Sequence, residues 1–284
     1  MNNEQKPILV TGCSSGIGQC IALSLAKRNY PVYATVRDEK DLAQFDQTPN
    51  IKALVLDLNN SNSIHTAWNN ILEDSKHGLY ALINNGAFGL PGAVEDLSRD
   101  ALRAQFETNV FGTHEITCLG LKQMRSQGFG RIIQISSVLG FISMAYRGAY
   151  NASKHALEGL TDTLRLELID TDIHVSSIQP GPILSRFRQN SYAAFCQHID
   201  AENSLHQTQY ASMIKRLVKT EAGVPFTLPA DAVYQKALHA LEAHRPKARY
   251  SVTVPTYLFA VLKRILPVNV LDKALWYAGG QGKR

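Results

Sequence analysis

Residues 11–18, Thr11-Gly12-Cys13-Ser14-Ser15-Gly16-Ile17-Gly18, follow the apolar run Ile8-Leu9-Val10 and lead into a helical pattern through Ile21, Leu23, Leu25 and Ala26. A strand, a glycine turn and a helix in succession form a phosphate cradle. Glycines let the backbone approach a ligand closely, and the helix N-terminus offers free N–H groups and partial positive charge. This stretch predicts a dinucleotide-binding α/β fold.

Outward from the turn, strands and helices alternate. Pro31 to Val36 reads as a strand ending where a ribose-reading residue is expected. No acid stands at that end. Val36 and then Arg37 do, which suits a 2′-phosphate and so NADP(H) over NAD(H). Asp38 is the competing ribose reader, or, with Glu39, the acidic first turn of a helix. Leu54 to Asp57 reads as a third strand, with Asp57 either meeting an adenine amino group or capping the helix predicted over 61–76.

Leu79 to Ile83 gives a fourth strand leading to Asn84-Asn85-Gly86-Ala87. A long helix from Leu102 to Met124 contains Asn109, a poor helix former whose main chain can open toward a site. Arg131 to Ser136 is a fifth strand that delivers Ser137. A helix over 148–169 and a sixth strand, Val175 to Ile178, end at Pro180-Gly181-Pro182. Six strands alternating with helices predict one doubly wound parallel sheet, a Rossmann-type fold, across 1–284. Its site lies at the strand C-termini.

Tyr150-Asn151-Ala152-Ser153-Lys154 supplies chemistry for that site. Positions i and i+4 of a helix share a face, so Tyr150 and Lys154 project together. A phenol titrates near pKa ~10, and bringing it to neutrality takes roughly 4 kcal/mol. One ammonium about 4–5 Å away at an effective dielectric of ~20 supplies that order of energy. Lys154 is therefore expected to depress the Tyr150 pKa, and Ser137 to hydrogen-bond an oxygen that is gaining charge.

Composition excludes several classes. With 45% hydrophobic and 19% charged residues, the 284-residue chain is expected to be an ordinary soluble protein. Its net charge of +5 is scattered rather than striped, which argues against nucleic acid. Cys13, Cys20, Cys118 and Cys196 have neither CxxC nor metal spacing, and His198 and His206 have no third ligand, so no metal is expected. A polar start without a signal-peptide pattern and the absence of a spanning segment lead to a cytoplasmic expectation.

Together these residues resemble the short-chain dehydrogenase/reductase family over roughly residues 6 to 190. Thr11, Gly12, Gly16 and Gly18 match its TGxxxGxG turn, Ser137, Tyr150 and Lys154 its catalytic trio, and Asn109 its fourth catalytic position. TGCSSGIG and VYATVRD look like the NADP-preferring 17β-hydroxysteroid dehydrogenase and bacterial aldehyde or ketone reductase branch. The resemblance implies cofactor contacts from Gly12, Ser14, Ser15, Gly16, Ile17, Gly18, Arg37, Asp57, Leu58, Asn85, Gly86, Tyr150, Lys154, Pro180, Gly181, Ile183 and Ser185. It implies hydride transfer between nicotinamide and a carbonyl carbon. Tyr150 would give the proton, Lys154 would hold the ribose, and Asn109 would fix a water. Two departures stand out. The usual NNAG turn reads Asn84-Asn85-Gly86-Ala87, and Ser185 replaces the threonine after the PG motif. Family likeness also implies a homodimer or homotetramer.

Residues 183–227 lack sheet periodicity and carry Phe187, Tyr192, Phe195, Leu205, Tyr210, Met213 and Leu217. They read as a substrate lid over an apolar site, or as packing against the sheet. The apolar stretch 255–278 reads as helices that cap the pocket, form a subunit interface, or touch a membrane surface. The first expectation is an NADPH-dependent reductase of an apolar aldehyde, ketone or steroid-like molecule. The second is an alcohol or hydroxysteroid dehydrogenase working in oxidation, and the third a non-catalytic NADP(H)-binding sensor.

Overall fold

The computed structural model describes residues 2–75, 78–218 and 225–280. Seven parallel strands form one sheet: β1 (Ile8–Val10), β2 (Val32–Val36), β3 (Ile51–Val55), β4 (Ala81–Asn84), β5 (Phe129–Ile135), β6 (Asp172–Gln179) and β7 (Arg249–Ser251). Their order is β3-β2-β1-β4-β5-β6-β7. The chain runs outward one way from β1 and the other way from β4. The crevice between the carboxyl ends of these two strands is where such sheets bind ligands.

Ten helices accompany the sheet among the described residues: α1 (Gly16–Ala26), α2 (Ser61–Asp74), α3 (Arg99–Phe106), α4 (Thr113–Gln127), α5 (Gly148–Glu167), α6 (Phe187–His198), α7 (Gln207–Leu217), α8 (Asp231–Glu242), α9 (Val254–Ile265) and α10 (Val268–Ala278). Both faces of the sheet are covered. Ile8 and Val10 join an apolar core with α1 and α8, whereas Leu9 joins another with α2 and α4. Strands buried on both faces read as continuous apolar runs, which is why Ile-Leu-Val was legible. Local stops agree. The Asn60 side chain accepts from Ser63 N at 3.2 Å at the start of α2, and Gly128, at φ +83, ends α4.

Four expectations need correcting. The sheet has a seventh strand, β7, paired with β6 from Ser177↔Arg249 to Gln179↔Ser251. The third strand begins at Ile51, where Lys52 points outward to pair with Asp74 at 2.7 Å and interrupts the apolar pattern, and it ends at Val55, opposite the end of β2 at Val36, rather than running to Asp57. Asp57 does not cap α2. Asn60 does, and Asp57 Oδ1 accepts from Asn59 N at 2.9 Å in a tight turn. Asp38 precedes only a short 3₁₀ turn, Glu39–Asp41, not an α-helix.

The segment 183–227 leaves and rejoins the body at one point. Leu184 N donates to Leu228 O at 2.9 Å and Leu228 N to Pro182 O at 3.1 Å. Between these, α6 and α7 pack Phe195, Tyr210 and Met213 on Leu90, Ala101 and Ala149, a third apolar core. The segment packs on this core and, through Phe187, also lies against Tyr150. Residues 219–224 of this stretch lie outside the described residues. No described helix is long and apolar enough to cross a membrane.

Candidate active site and cofactor cleft

The glycine turn is built so that side chains have no room. Gly12 adopts φ +69, and a Cβ there would come within 2.7 Å of Gly86 Cα; at Gly18 it would meet Gly12 O at 2.3 Å. Helix α1 starts at Gly16 with no side chain capping it, so its first N–H groups face the crevice. The residues present therefore fit a dinucleotide pyrophosphate: an open cradle of backbone donors at a positive helix end. Ser14, Ser15 and Ile17 lie in the same turn, half-buried.

Asn85 and Gly86 turn out to hold this cradle from behind. The Asn85 amide donates to Thr11 O and Gly12 O, both at 2.9 Å, and Thr11 Oγ1 accepts from Asn85 N at 3.0 Å and Gly86 N at 2.9 Å. The displaced glycine is explained by closeness, not by an unusual backbone. A Cβ on Gly86 would meet Leu58 Cδ1 at 2.7 Å, and its φ is not positive. Leu58 is the buried plug of this corner.

Arg37 follows β2 directly and is largely exposed, its one ion pair among the described residues being Asp38 at 3.5 Å. Asp57 sits beyond β3, half-buried, at the same end of the sheet. Pro180 and Gly181 follow β6. Pro180 O accepts from Val138 N at 2.8 Å, tying this loop to the one carrying Ser137. Ile183 bridges to Leu228 and packs on the first core. Ser185 stands across the glycine turn, 3.0 Å from where a Gly16 Cβ would be, with its hydroxyl accepting from Phe187 N at 3.3 Å.

Ser137, Tyr150 and Lys154 converge as expected. Ser137 stands two residues past the end of β5, at the start of a short 3₁₀ turn, and its hydroxyl hydrogen-bonds the Tyr150 phenol. Lys154, one turn along α5, is buried; its Nζ donates to Ile135 O at 2.8 Å and stands 5.9 Å from the Tyr150 ring centroid. The electrostatics differ from expectation. Burial pushes the Tyr150 phenol up to about 12 and the Ser137 hydrogen bond only partly offsets it. Burial also lowers Lys154 to about 8, with Glu158 opposing. Desolvation is the dominant cause for both groups, and the Lys154 ammonium donates to Ile135 O.

Asn109 lies in a widened π-helical turn, Glu107–Gly112, that joins α3 to α4. Its side chain is fully engaged: Oδ1 accepts from Phe88 N at 3.1 Å, and Nδ2 donates to Phe88 O at 2.9 Å and Ser153 Oγ at 3.1 Å. Ser153 in turn donates to Tyr150 O at 2.9 Å. Asn109 therefore links the loop after β4 to α5, and only its main chain is left to face the site.

Two contacts go beyond the sequence reading, which placed Phe187 in the lid segment and did not single out Glu158. Phe187, in the first turn of α6, packs edge-on against the Tyr150 ring with centroids 5.4 Å apart and reaches over Gly89, where a Cβ would strike the ring at 2.6 Å. Glu158, one turn beyond Lys154, is buried and accepts from Ser177 Oγ, Gln179 Nε2 at 3.1 Å and Arg249 Nε at 3.2 Å. Its position four residues from Lys154 was the available signal. Among the described residues no cluster of His, Cys, Asp and Glu suits a metal ion.

Known proteins place this arrangement. The model of the family described as short chain dehydrogenase matches residues 6–194. The uncharacterized oxidoreductase YbbO of Escherichia coli K12 is 38% identical over 95% of this chain and 94% of its own. The NADPH-dependent 3-dehydrocapnine reductase of Ornithobacterium rhinotracheale is 31% identical over 94% of this chain and 95% of its own. Human 17-beta-hydroxysteroid dehydrogenase type 1 is also 31% identical, over 87% of this chain and 77% of its own. The fold matches that of a Burkholderia phymatum short chain dehydrogenase/reductase in complex with NAD, with a TM-score of 0.78 at 22% identity over 93% of both chains. This chain belongs to the short chain dehydrogenase family and is an oxidoreductase of that family.

Proposed function

We propose that the chain reduces a carbonyl on an apolar substrate, using NADP(H), with Tyr150 as proton donor. The observation that carries this reading is the Tyr150 phenol, hydrogen-bonded to Ser137 and backed by buried Lys154, at the same sheet edge as the glycine cradle. When bound, NADP(H) supplies the hydride. Ser137 and Tyr150 would orient the substrate oxygen, and Tyr150 would pass its proton to that oxygen as charge develops. A phenol near pKa 12 is fully protonated at neutral pH, which suits reduction; oxidation would need the same group to give up its proton first. Lys154 would hold the cofactor ribose and stabilise the phenolate left behind. The main chain at Asn109 would hold a water that returns the proton. The gap left by the wide turn supports this role.

Arg37 supports NADP(H). Its guanidinium stands free of strong partners at the end of β2, since an exposed pair at 3.5 Å contributes little. The phosphate contact is worth roughly 1.5–3 kcal/mol as a charged hydrogen bond. Arg37→Ala is expected to raise the KM for NADPH by about 10- to 100-fold and leave that for NADH within about twofold. The check is nicotinamide absorbance with both cofactors over a panel of aliphatic aldehydes, aromatic ketones and steroids. An equal loss with both cofactors would remove Arg37 from the phosphate.

The substrate side is apolar. Phe187 lies against the Tyr150 ring, and Tyr150 itself packs on a cluster that holds Val138, Leu139 and Ile142, which supports an apolar substrate side. One relative is named as a hydroxysteroid dehydrogenase and another as an NADPH-dependent reductase, and the steroid name supports a bulky apolar substrate. Phe187→Ala should raise KM for the bulkiest substrate of the panel about tenfold, the worth of a lost aromatic contact, and leave kcat for a short aldehyde unchanged. Unaltered KM across the panel would show that Phe187 does not touch substrate.

A further inference from the structure

The last two helices present an apolar face that hydride transfer does not use. Along α9, Val254, Tyr257, Leu258, Val261 and Ile265 recur at spacings of three and four, on one stripe, and each is 52 to 66% exposed. Trp276 and Tyr277 of α10 are exposed as well. The inner stripe is already occupied: Phe259 and Leu262 pack with Leu271 and Leu275 against Val138, Leu139 and Ile142. An ordinary surface helix pairs a buried apolar stripe with a polar outer one. Here both stripes of α9 are apolar, and an exposed contiguous apolar patch marks a surface that meets something else.

Charge decides what it meets. The ionisable residues of α9 and α10 are Lys263, Arg264 and Lys273 against the single acid Asp272, all exposed. Lys263 also donates to Phe141 O, fixing α9 to the loop beyond Ser137. A second copy docked face to face would bring two cationic rims together. An anionic lipid surface satisfies both features, with acyl chains for the stripe and phosphates for the cations. Tryptophan and tyrosine are the residues that settle at that boundary.

The geometry points to α9 and α10 as a docking face for an anionic bilayer surface. Docking leaves the sheet in water, since neither helix is long enough to span. Its inner side belongs to the same apolar cluster as Tyr150 and the turn after Ser137, so the docked face lies on the side of the molecule that carries the phenol. This placement is independent of the cofactor reading.

The test is co-sedimentation of the full chain with vesicles of phosphatidylcholine alone and of phosphatidylcholine with phosphatidylglycerol, at low and high salt. Expected is binding to the anionic vesicles that weakens with salt. Arg264→Glu and Lys273→Glu should each weaken it by at least roughly fivefold. Val261→Asp with Ile265→Asp should abolish binding while cofactor oxidation with a soluble aldehyde continues; circular dichroism checks that the double variant is folded, so loss of binding is read separately from loss of fold. Binding should also blue-shift tryptophan emission, which would report Trp276, because Trp68 is buried. Equal binding to neutral vesicles, no binding at all, or a dimer that the double variant dissociates without any vesicle binding would each overturn the proposal.

Discussion

Replacing Tyr150 by phenylalanine is expected to lower turnover at least a thousandfold while NADPH still binds within about twofold of the parent affinity. The substitution removes one oxygen and keeps the ring, so the edge-on packing against Phe187 at 5.4 Å survives. The lost hydroxyl bonds Ser137, whose own oxygen still accepts from Leu139 N at 3.1 Å, so the stability cost is about 1 kcal/mol. What disappears is the proton donor. A positioned general acid contributes roughly 10²–10⁴ in rate, and Tyr150 also helps hold the substrate oxygen, which places the loss in the upper part of that range. Single-turnover absorbance with saturating NADPH, alongside fluorescence titration of NADPH, separates chemistry from binding. Turnover within tenfold of the parent would end the role assigned to Tyr150.

The parts of this molecule that sequence revealed are those where covalent geometry leaves few choices. A turn whose Cβ atoms would strike backbone at 2.3 to 2.7 Å must be glycine, and two groups one helical turn apart must share a face. Strands buried on both sides must be apolar throughout, so Ile8 to Val10 was visible. By contrast β7 has three residues, Arg-Tyr-Ser, and its place depends on Tyr250 being buried and Arg249 reaching Glu158 and Asp162, partners far away along the chain. The Phe187 contact with Tyr150 depends on how a forty-residue excursion folds back to Leu228. The pKa values were misjudged for a related reason. Spacing places Lys154 near Tyr150, but how completely both lose water depends on every element packed around them.

That desolvation leads to the second large effect: Lys154→Met should make the unliganded chain more stable near pH 7 while removing most of its activity. Lys154 is buried and its pKa falls from 10.5 to about 8, burial first and Glu158 opposing. In the unfolded chain the group returns to its ordinary value, so between about 8 and 10.5 the unfolded state holds the extra proton. Stability from this group therefore rises with pH across that window. Below it the folded state carries a charge that costs about 3 kcal/mol, at ~1.36 kcal/mol per unit. Methionine removes that cost and fills the space. It gives back about 1 kcal/mol, because Ile135 O loses its donor at 2.8 Å. Glu158 stays satisfied by Arg249, Ser177 and Gln179, so the substitution strands no charge. The net gain is about 2 kcal/mol, a rise in Tm of roughly 3–6 °C at pH 7 for a chain of this size. The gain should fall as pH climbs from 8, vanish near pH 10 and turn into a loss of about 1 kcal/mol above 10.5. Thermal unfolding followed by circular dichroism at pH 7, 9 and 10.5 measures it. A lower Tm at pH 7, or a gain that does not change with pH, would mean that Lys154 is not the strained cation described. Turnover should meanwhile fall at least a hundredfold, since the same buried ammonium would hold the ribose and stabilise the phenolate. A group kept against a gain in stability at neutral pH is one whose position serves the reaction rather than the fold.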